Sequence, residues 1–283
     1  MPLSAAAISA RILTATLPTF ARTIAKLEHL VVEAEAPAHV VAAVIATDPT
    51  LTALTLGQAH AAGHATTNLN EAVRRIGQGV VLATARSAIP VAAAQRGMLA
   101  ACWGQANAVA TLTPILIEHR RSLLRGNWDT ETLHLVGLVH DLGHVLAFSS
   151  FTEEYVRAAL RLKKGETGFE RVVGEEIGAT PTQLAALAAH SWQLPPVLAA
   201  PMAHWRQPNL APADQIELSA IVHVAHILAH AAGFDAGADR WVQPMDDWAI
   251  SFLNLRISDC ETVLDRMFES MDELELFEGA LGG

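Results

Sequence analysis

Tyrosine occurs once, cysteine twice, and aromatic residues supply only 5% of the 283-residue chain, so little is present of what sheets and disulfide frameworks are built from. Cys102 and Cys260 lie far apart and form no CxxC pair, so neither a disulfide framework nor a thiolate zinc site is suggested, and two reduced, mostly buried thiols are expected. Charge is scarce as well, at 17% against 51% hydrophobic residues, and what there is runs acidic: 29 Asp and Glu against 19 Lys and Arg. No basic stripe exists to displace counterions from a phosphate backbone, so direct nucleic-acid binding is not expected.

Other absences narrow the field further. No Gly-rich loop precedes a helix to cradle phosphate, no GxSxG elbow presents a serine, and Cys102 has no recognisable base paired with it. The N-terminus MPLSAAAISARILTATLP has no basic segment ahead of a continuous apolar run, which argues against a secretory leader and predicts a cytoplasmic protein. Two stretches, 98–117 and 177–205, lack Asp, Glu, Lys and Arg. Gln105, Asn107 and Pro114 interrupt the first, and Gly178, Pro181, Pro195, Pro196 and Pro201 break the second. Both therefore read as buried helices, and no membrane association is expected.

What is present is helical punctuation. Asp48-Pro49, Asn68 with Glu71, Asp129, Thr180-Pro181, Pro195-Pro196 and Ser258 with Glu261 each place an acceptor side chain or a proline where the first N–H groups of a helix need partners. Gly77, Gly178 and Gly233 sit at helix stops, and the helix opened by Asp129 is expected to run through about Leu146. Phe20, Ile24, Leu27 and Val31 keep the spacing of one helical face. Strand signals do not recur, and the class is all-α.

The organisation expected is a bundle over 1–95, a second bundle over 96–233 and an acidic helical segment over 234–283. The last boundary rests on the composition change at GFDAGADRW. Residues 246–278 hold ten carboxylates against Arg256 and Arg266, leaving −8 of a net −10 in this one segment. Val263, Leu264, Met267, Met271 and Leu274 step by three and four along it, giving one oily face and one acidic face.

Several spaced motifs between about Leu17 and Gly233 resemble the HDOD family, signalling relatives of the HD phosphohydrolases. They are Leu17-Pro18, DPTLTALTLGQAHA from Asp48, NLNEAVRRIG at 68–77, GLVHDLGHVL at 137–146, the Trp192-x-Leu194-Pro195 helix end, and His204 in AHWRQP. His60 and Ala61 stand where the family has an Asn-Ser pair. The resemblance implies two packed helical bundles, the later one HD-like. It also implies a role as an output or scaffolding module of bacterial signalling, often joined to receiver, kinase or cyclic-dinucleotide domains and often without catalysis.

In a working HD phosphohydrolase, a His from an earlier helix, the adjacent His-Asp pair and a distant Asp hold a divalent metal that polarises phosphate and activates water. By this resemblance His140-Asp141 is retained. Gln105 stands for the earlier His, His226 for the distant Asp, Pro181 for a His expected after Gly178, and Trp205 for a His often found beside His204. The candidate metal set is thus His140, Asp141, His204 and His226, chemically suitable for zinc, nickel or iron. The plainer alternative is a relic in which Asp141 caps or ion-pairs and His140 bonds a carbonyl.

Histidine spacing offers weaker readings. His140 and His144 stand four apart as in HExxH proteases, but Asp141 replaces the glutamate base. His60 with His64, and His223, His226 and His230, are expected to share helical faces, the trio forming a polar seam or a pH-sensitive contact. The function expected is a non-catalytic signal-transduction module, for instance the output of a two-component response regulator, with no catalytic or cofactor-binding residue. It would bind a protein partner or small ligand and could self-associate. The alternatives are a metal-dependent phosphohydrolase acting on a nucleotide or cyclic dinucleotide, and a purely structural oligomerisation domain.

Overall fold

The computed structural model describes residues 3–90, 96–165, 168–235 and 241–281, with residues 90, 96 and 272–281 described by backbone alone. Leu274 of the oily stripe and Asp272, Glu273, Glu275 and Glu278 of the acidic face therefore fall outside the described side chains. The elements are α1 (Ala5–Leu13), β1 (Pro18–Thr19), α2 (Ala21–Glu28) running into a π-helical turn at His29–Glu33, α3 (Ala38–Ile45), α4 (Pro49–Ala61), α5 (Leu69–Ile76), α6 (Gln78–Ser87) and β2 (Ile89–Pro90). They continue with α7 (Arg96–Arg120), α8 (Thr130–Val139), α9 (Leu142–Ser150), α10 (Thr152–Lys163), α11 (Phe169–Ile177), α12 (Pro181–Ser191), α13 (Pro196–His204), a 3-10 turn at Pro208–Leu210, α14 (Ile216–Ala231), α15 (Asp247–Phe252) and α16 (Ile257–Leu281). The fold is all-α. Its strand content among the described residues is one parallel pairing of Pro18 with Ile89 and Thr19 with Pro90.

Capping side chains place most helix starts where the sequence puts them. Asp48 accepts from the Leu51 N–H, Asp129 from the Thr132 N–H, and Thr180 with Gln183 forms a complete reciprocal box. Two expectations need correction. Asn68 accepts from the Glu71 N–H, but the Glu71 carboxylate turns to Thr66 and Arg75, so that box is only half formed. The acidic helix begins before Ser258: Asp259 reaches back 2.8 Å to the Arg256 N–H, which it also ion-pairs, so Asp259 takes the role assigned to Glu261.

Helices α3, α4 and α5 pack together with α2 and α6 against them. Helix α7 runs against α8, α14 and α16, α12 against α9 and α13, and α10 against α11. Contacts between α4 and α8 join the two groups, and one continuous apolar cluster extends from Ile8 to Met267. Val263 and Met267 of α16 are fully buried in it. The oily stripe of the acidic helix thus docks on its own chain, as amphipathic helices in globular proteins usually do. No single described helix is long and apolar enough to cross a membrane.

Candidate functional site: a paired histidine cluster

The helix expected from Asp129 to Leu146 is broken at the His-Asp pair itself. Helix α8 ends at Val139, His140 remains helical (φ −54°, ψ −35°), and Asp141 (φ −119°, ψ 33°) turns the chain into α9. Two glycines allow this corner to be crowded. A Cβ on Gly137 would lie 2.6 Å from the Val109 carbonyl oxygen on α7, and one on Gly143 would lie 1.9 Å from the Pro181 carbonyl oxygen on α12. Their missing side chains let α7 and α12 close on either side of His140 and Asp141.

His140 is fully buried, with Nδ1 2.7 Å from the Gly137 carbonyl oxygen and Nε2 2.9 Å from Nδ1 of His226. A carbonyl only accepts, so His140 carries its proton on Nδ1. Burial lowers the pKa of His140, partly opposed by the nearby Asp141 charge, and the ring is neutral with a lone pair on Nε2. His226 must then donate from Nδ1. Burial first, and then the neighbouring His140 and Arg206, hold His226 well below the usual imidazole range. Two neutral imidazoles are therefore joined by one N–H···N bond, which completes the bonding of the His140 ring.

Trp205 closes over this pair, its ring 3.9 Å from His226 and edge-on to His140, with the Arg206 guanidinium stacked 4.2 Å from the indole. Arg206 reaches Glu170 (3.2 Å) and donates to Gln243 Oε1 (2.9 Å). Glu170 accepts from the Thr182 N–H at the start of α12 and approaches His144 Nε2 (3.9 Å). Burial alone would raise the Glu170 pKa, but the Arg206 and His144 charges and the Thr182 N–H outweigh it and hold the carboxylate ionised. His144 stacks on Phe169, meets the Tyr155 hydroxyl at 3.3 Å and stands 3.8 Å from Asp141 Oδ2. Asp141 Oδ1 and His230 Nε2 are buried and have no hydrogen-bond partner among the described residues.

The space around these groups is small. A cavity of about 10 Å³ lies between Cys102, Gln105, His140, Asp141 and His144, and one of about 20 Å³ between Gln105, Asp141, Arg206, His226, His230 and Gln243. Each has room for roughly one water. An open groove of about 520 Å³ runs outside, along Gly174, Gly178, Thr180 and Glu170, and shares Arg206 and Gln243 with the inner cavity. Cys102 beside the cluster is pushed up to about 12 by burial, so its thiol stays protonated.

Of the sequence-derived metal candidates, the structure brings His140, Asp141 and His226 together, with ligand atoms within 4.8 Å of one another. His204 is half-buried at the end of α13 and contributes no ligand atom to that group. Gln105 lines both cavities, at the place left by the expected earlier His. Asp141 does not cap α9 with its side chain but lies within ion-pair distance of His144 (3.8 Å), and His140 bonds a carbonyl, so both residues of the pair have the contacts of the relic reading. The His60 and His64 pairing on one face fails, because Gly63 (φ +83°) ends α4 between them. In the trio on α14, His223 is occupied separately: Nδ1 donates to the Trp205 carbonyl and Nε2 accepts from the Asp246 N–H. Glu170, Arg206 and Gln243 escaped the sequence reading. Arg206, beside Trp205 in HWRQP, was the one placed next to a recognised motif.

The donor set suits a divalent transition ion in kind, two imidazoles and a carboxylate with an unpartnered oxygen. Such an ion would be held by Nε2 of His140, by Asp141 and by His226. It would have to break the imidazole pair, because the Nε2 lone pair of His140 serves the existing bond.

An all-α bundle with a His-Asp corner and a modified ligand set defines an HD-related protein. The HDOD domain family matches residues 17–208, and the chain belongs to that family. Comparison with curated proteins gave no match. Among solved structures the chain is similar to the MmoQ response regulator fragment of Methylococcus capsulatus, at 20% identity and TM-score 0.65, over 87% of this chain and 94% of that one. It is also similar to an HDOD domain protein of unknown function from Geobacter sulfurreducens, at 15% identity and TM-score 0.54, over 94% of each chain. A third is a virulence factor of Campylobacter jejuni, at 18% identity and TM-score 0.62, over 82% of this chain and 85% of that one.

Proposed function

We propose that the chain is a non-catalytic signal-transduction module of the HDOD type, an output or scaffolding domain that binds a protein partner or small ligand. The observation that carries this reading is the direct bond between His140 and His226. The Nε2 lone pair of His140 that a metal would need accepts the Nδ1 proton of His226 instead, under Trp205 and beside cavities of about 10 and 20 Å³. A phosphoester substrate needs a pocket of roughly 300 Å³ or more. The outer groove of about 520 Å³ is of a size for a small ligand, but it meets Arg206 and Gln243 before it meets a histidine. The likeness in fold to a protein described as a response regulator agrees with a place downstream of a receiver or kinase.

The second reading, a metal-dependent phosphohydrolase, is favoured by the close approach of His140, Asp141 and His226. Protein purified without chelator separates the two. Metal content well below one equivalent, and no hydrolysis of a phosphomonoester or cyclic dinucleotide in Mn²⁺ above the His140→Ala background, are the expected results. Manganese-dependent turnover abolished by His140→Ala would establish the hydrolase instead.

A further inference from the structure

We infer that residues 241–246 form a removable strap that separates the buried histidine cavity from the open groove, so that displacement of the C-terminal segment exposes the cluster. The inner cavity and the outer groove have Arg206 and Gln243 as common wall. Gln243 belongs to the strap and is held there by the Arg206 side chain at 2.9 Å. Three residues on, the Asp246 N–H donates to Nε2 of His223 at 2.9 Å, immediately before Asp246 caps α15 through the Ala249 N–H. His223 is fixed in turn by donating to the carbonyl of Trp205, the residue that covers His140 and His226. The strap is thus tied to the two residues, Trp205 and Arg206, that roof the cluster.

These two ties are single hydrogen bonds at partly exposed positions of the strap, alongside the packing of Met245 on the apolar cluster, and Gln243 and Arg206 are side chains that can swing without unfolding a helix. Behind them lie Asp141 Oδ1 and His230 Nε2, buried and with no hydrogen-bond partner among the described residues, which a ligand entering from the groove would meet. Opening merges a cavity of about 20 Å³ with a groove of about 520 Å³. Closing restores the narrow cavity. This deepens the signalling reading by supplying a two-state element, and it rests on that reading for its purpose only.

Histidine footprinting of the full chain with diethyl pyrocarbonate, read by peptide mass spectrometry, tests it. In the wild type, His226 and His230 should react far more slowly than the exposed His29. Gln243→Ala, which leaves the α15 cap intact, should accelerate both. Adding Asp246→Pro, compatible with the φ of −64° at that position, should bring the acceleration to roughly tenfold or more. His134, whose ring is anchored on the Ala46 carbonyl and lines neither the cavity nor the groove, should keep its wild-type rate. Unchanged reactivity of His226 and His230 in Gln243→Ala would overturn the strap, as would parallel acceleration of His134, which signals general loosening. Metal-dependent turnover would refute the non-catalytic reading and leave this footprint as it stands.

Discussion

Replacing Gly143 by alanine tests whether the corner at the His-Asp pair depends on the close approach of α9 and α12. The new methyl would sit 1.9 Å from the Pro181 carbonyl oxygen and 2.4 Å from its carbon, where ordinary contact begins at 3.4 Å. Backbone must therefore retreat by about 1.5 Å (3.4 minus 1.9), against the start of a helix fixed by the Thr180–Gln183 box and by the Thr182 N–H to Glu170. Overpacking of this kind costs about 3 kcal/mol at the upper end, and alanine returns about 1 kcal/mol of helix propensity, leaving a net loss of about 2 kcal/mol. For a chain of this size that lowers Tm by about 4–8 °C. Gly104→Ala on α7 is the opposite case. Its Cβ would meet nothing nearer than a Phe234 ring carbon at 4.0 Å, so the helix gains about 0.5–1 kcal/mol. Differential scanning calorimetry on both variants should give shifts of opposite sign. A Gly143→Ala protein as stable as the wild type would refute the packing argument.

Two further outcomes follow from the cluster. His226→Asp replaces a hydrogen-bonding imidazole by a carboxylate facing Nε2 of His140, so Mn²⁺ at about 100 times its dissociation constant should stabilise the variant by about 2.7 kcal/mol in thermal melts while leaving the wild type unmoved; equal responses would show that the imidazole pair does not block the ion. His140, His223 and His226 all have pKa values lowered in the fold, chiefly by burial, so their contribution is complete above the unfolded value of about 6.5 and is lost as pH falls below it. The ionised Glu170, lowered from 4.5, adds its own loss only further down. Urea midpoints should thus fall between pH 7.5 and pH 5, and a flat profile over that interval would contradict the neutral-imidazole assignment.

The sequence alone carried the helical class, because caps such as Asp48, Asp129 and Thr180 act within three residues of themselves and need no tertiary partner. It also carried His140 and Asp141 as the place to look, through a motif whose spacing survives in the chain. Departures at Gln105 and His226 were visible as residue identities, but what they do was not. Only the tertiary structure decided that His226 bonds His140 and that His204 stays out of the group. It alone supplied Arg206 and Gln243, from two connecting segments, as the wall shared by cavity and groove, with Glu170 of α11 paired to Arg206. The reason is one of range. A cap or an amphipathic stripe is written in neighbouring residues, whereas a tautomer, a lowered pKa or a shared cavity wall arises between side chains tens of positions apart, and depends on which helices close on which glycines.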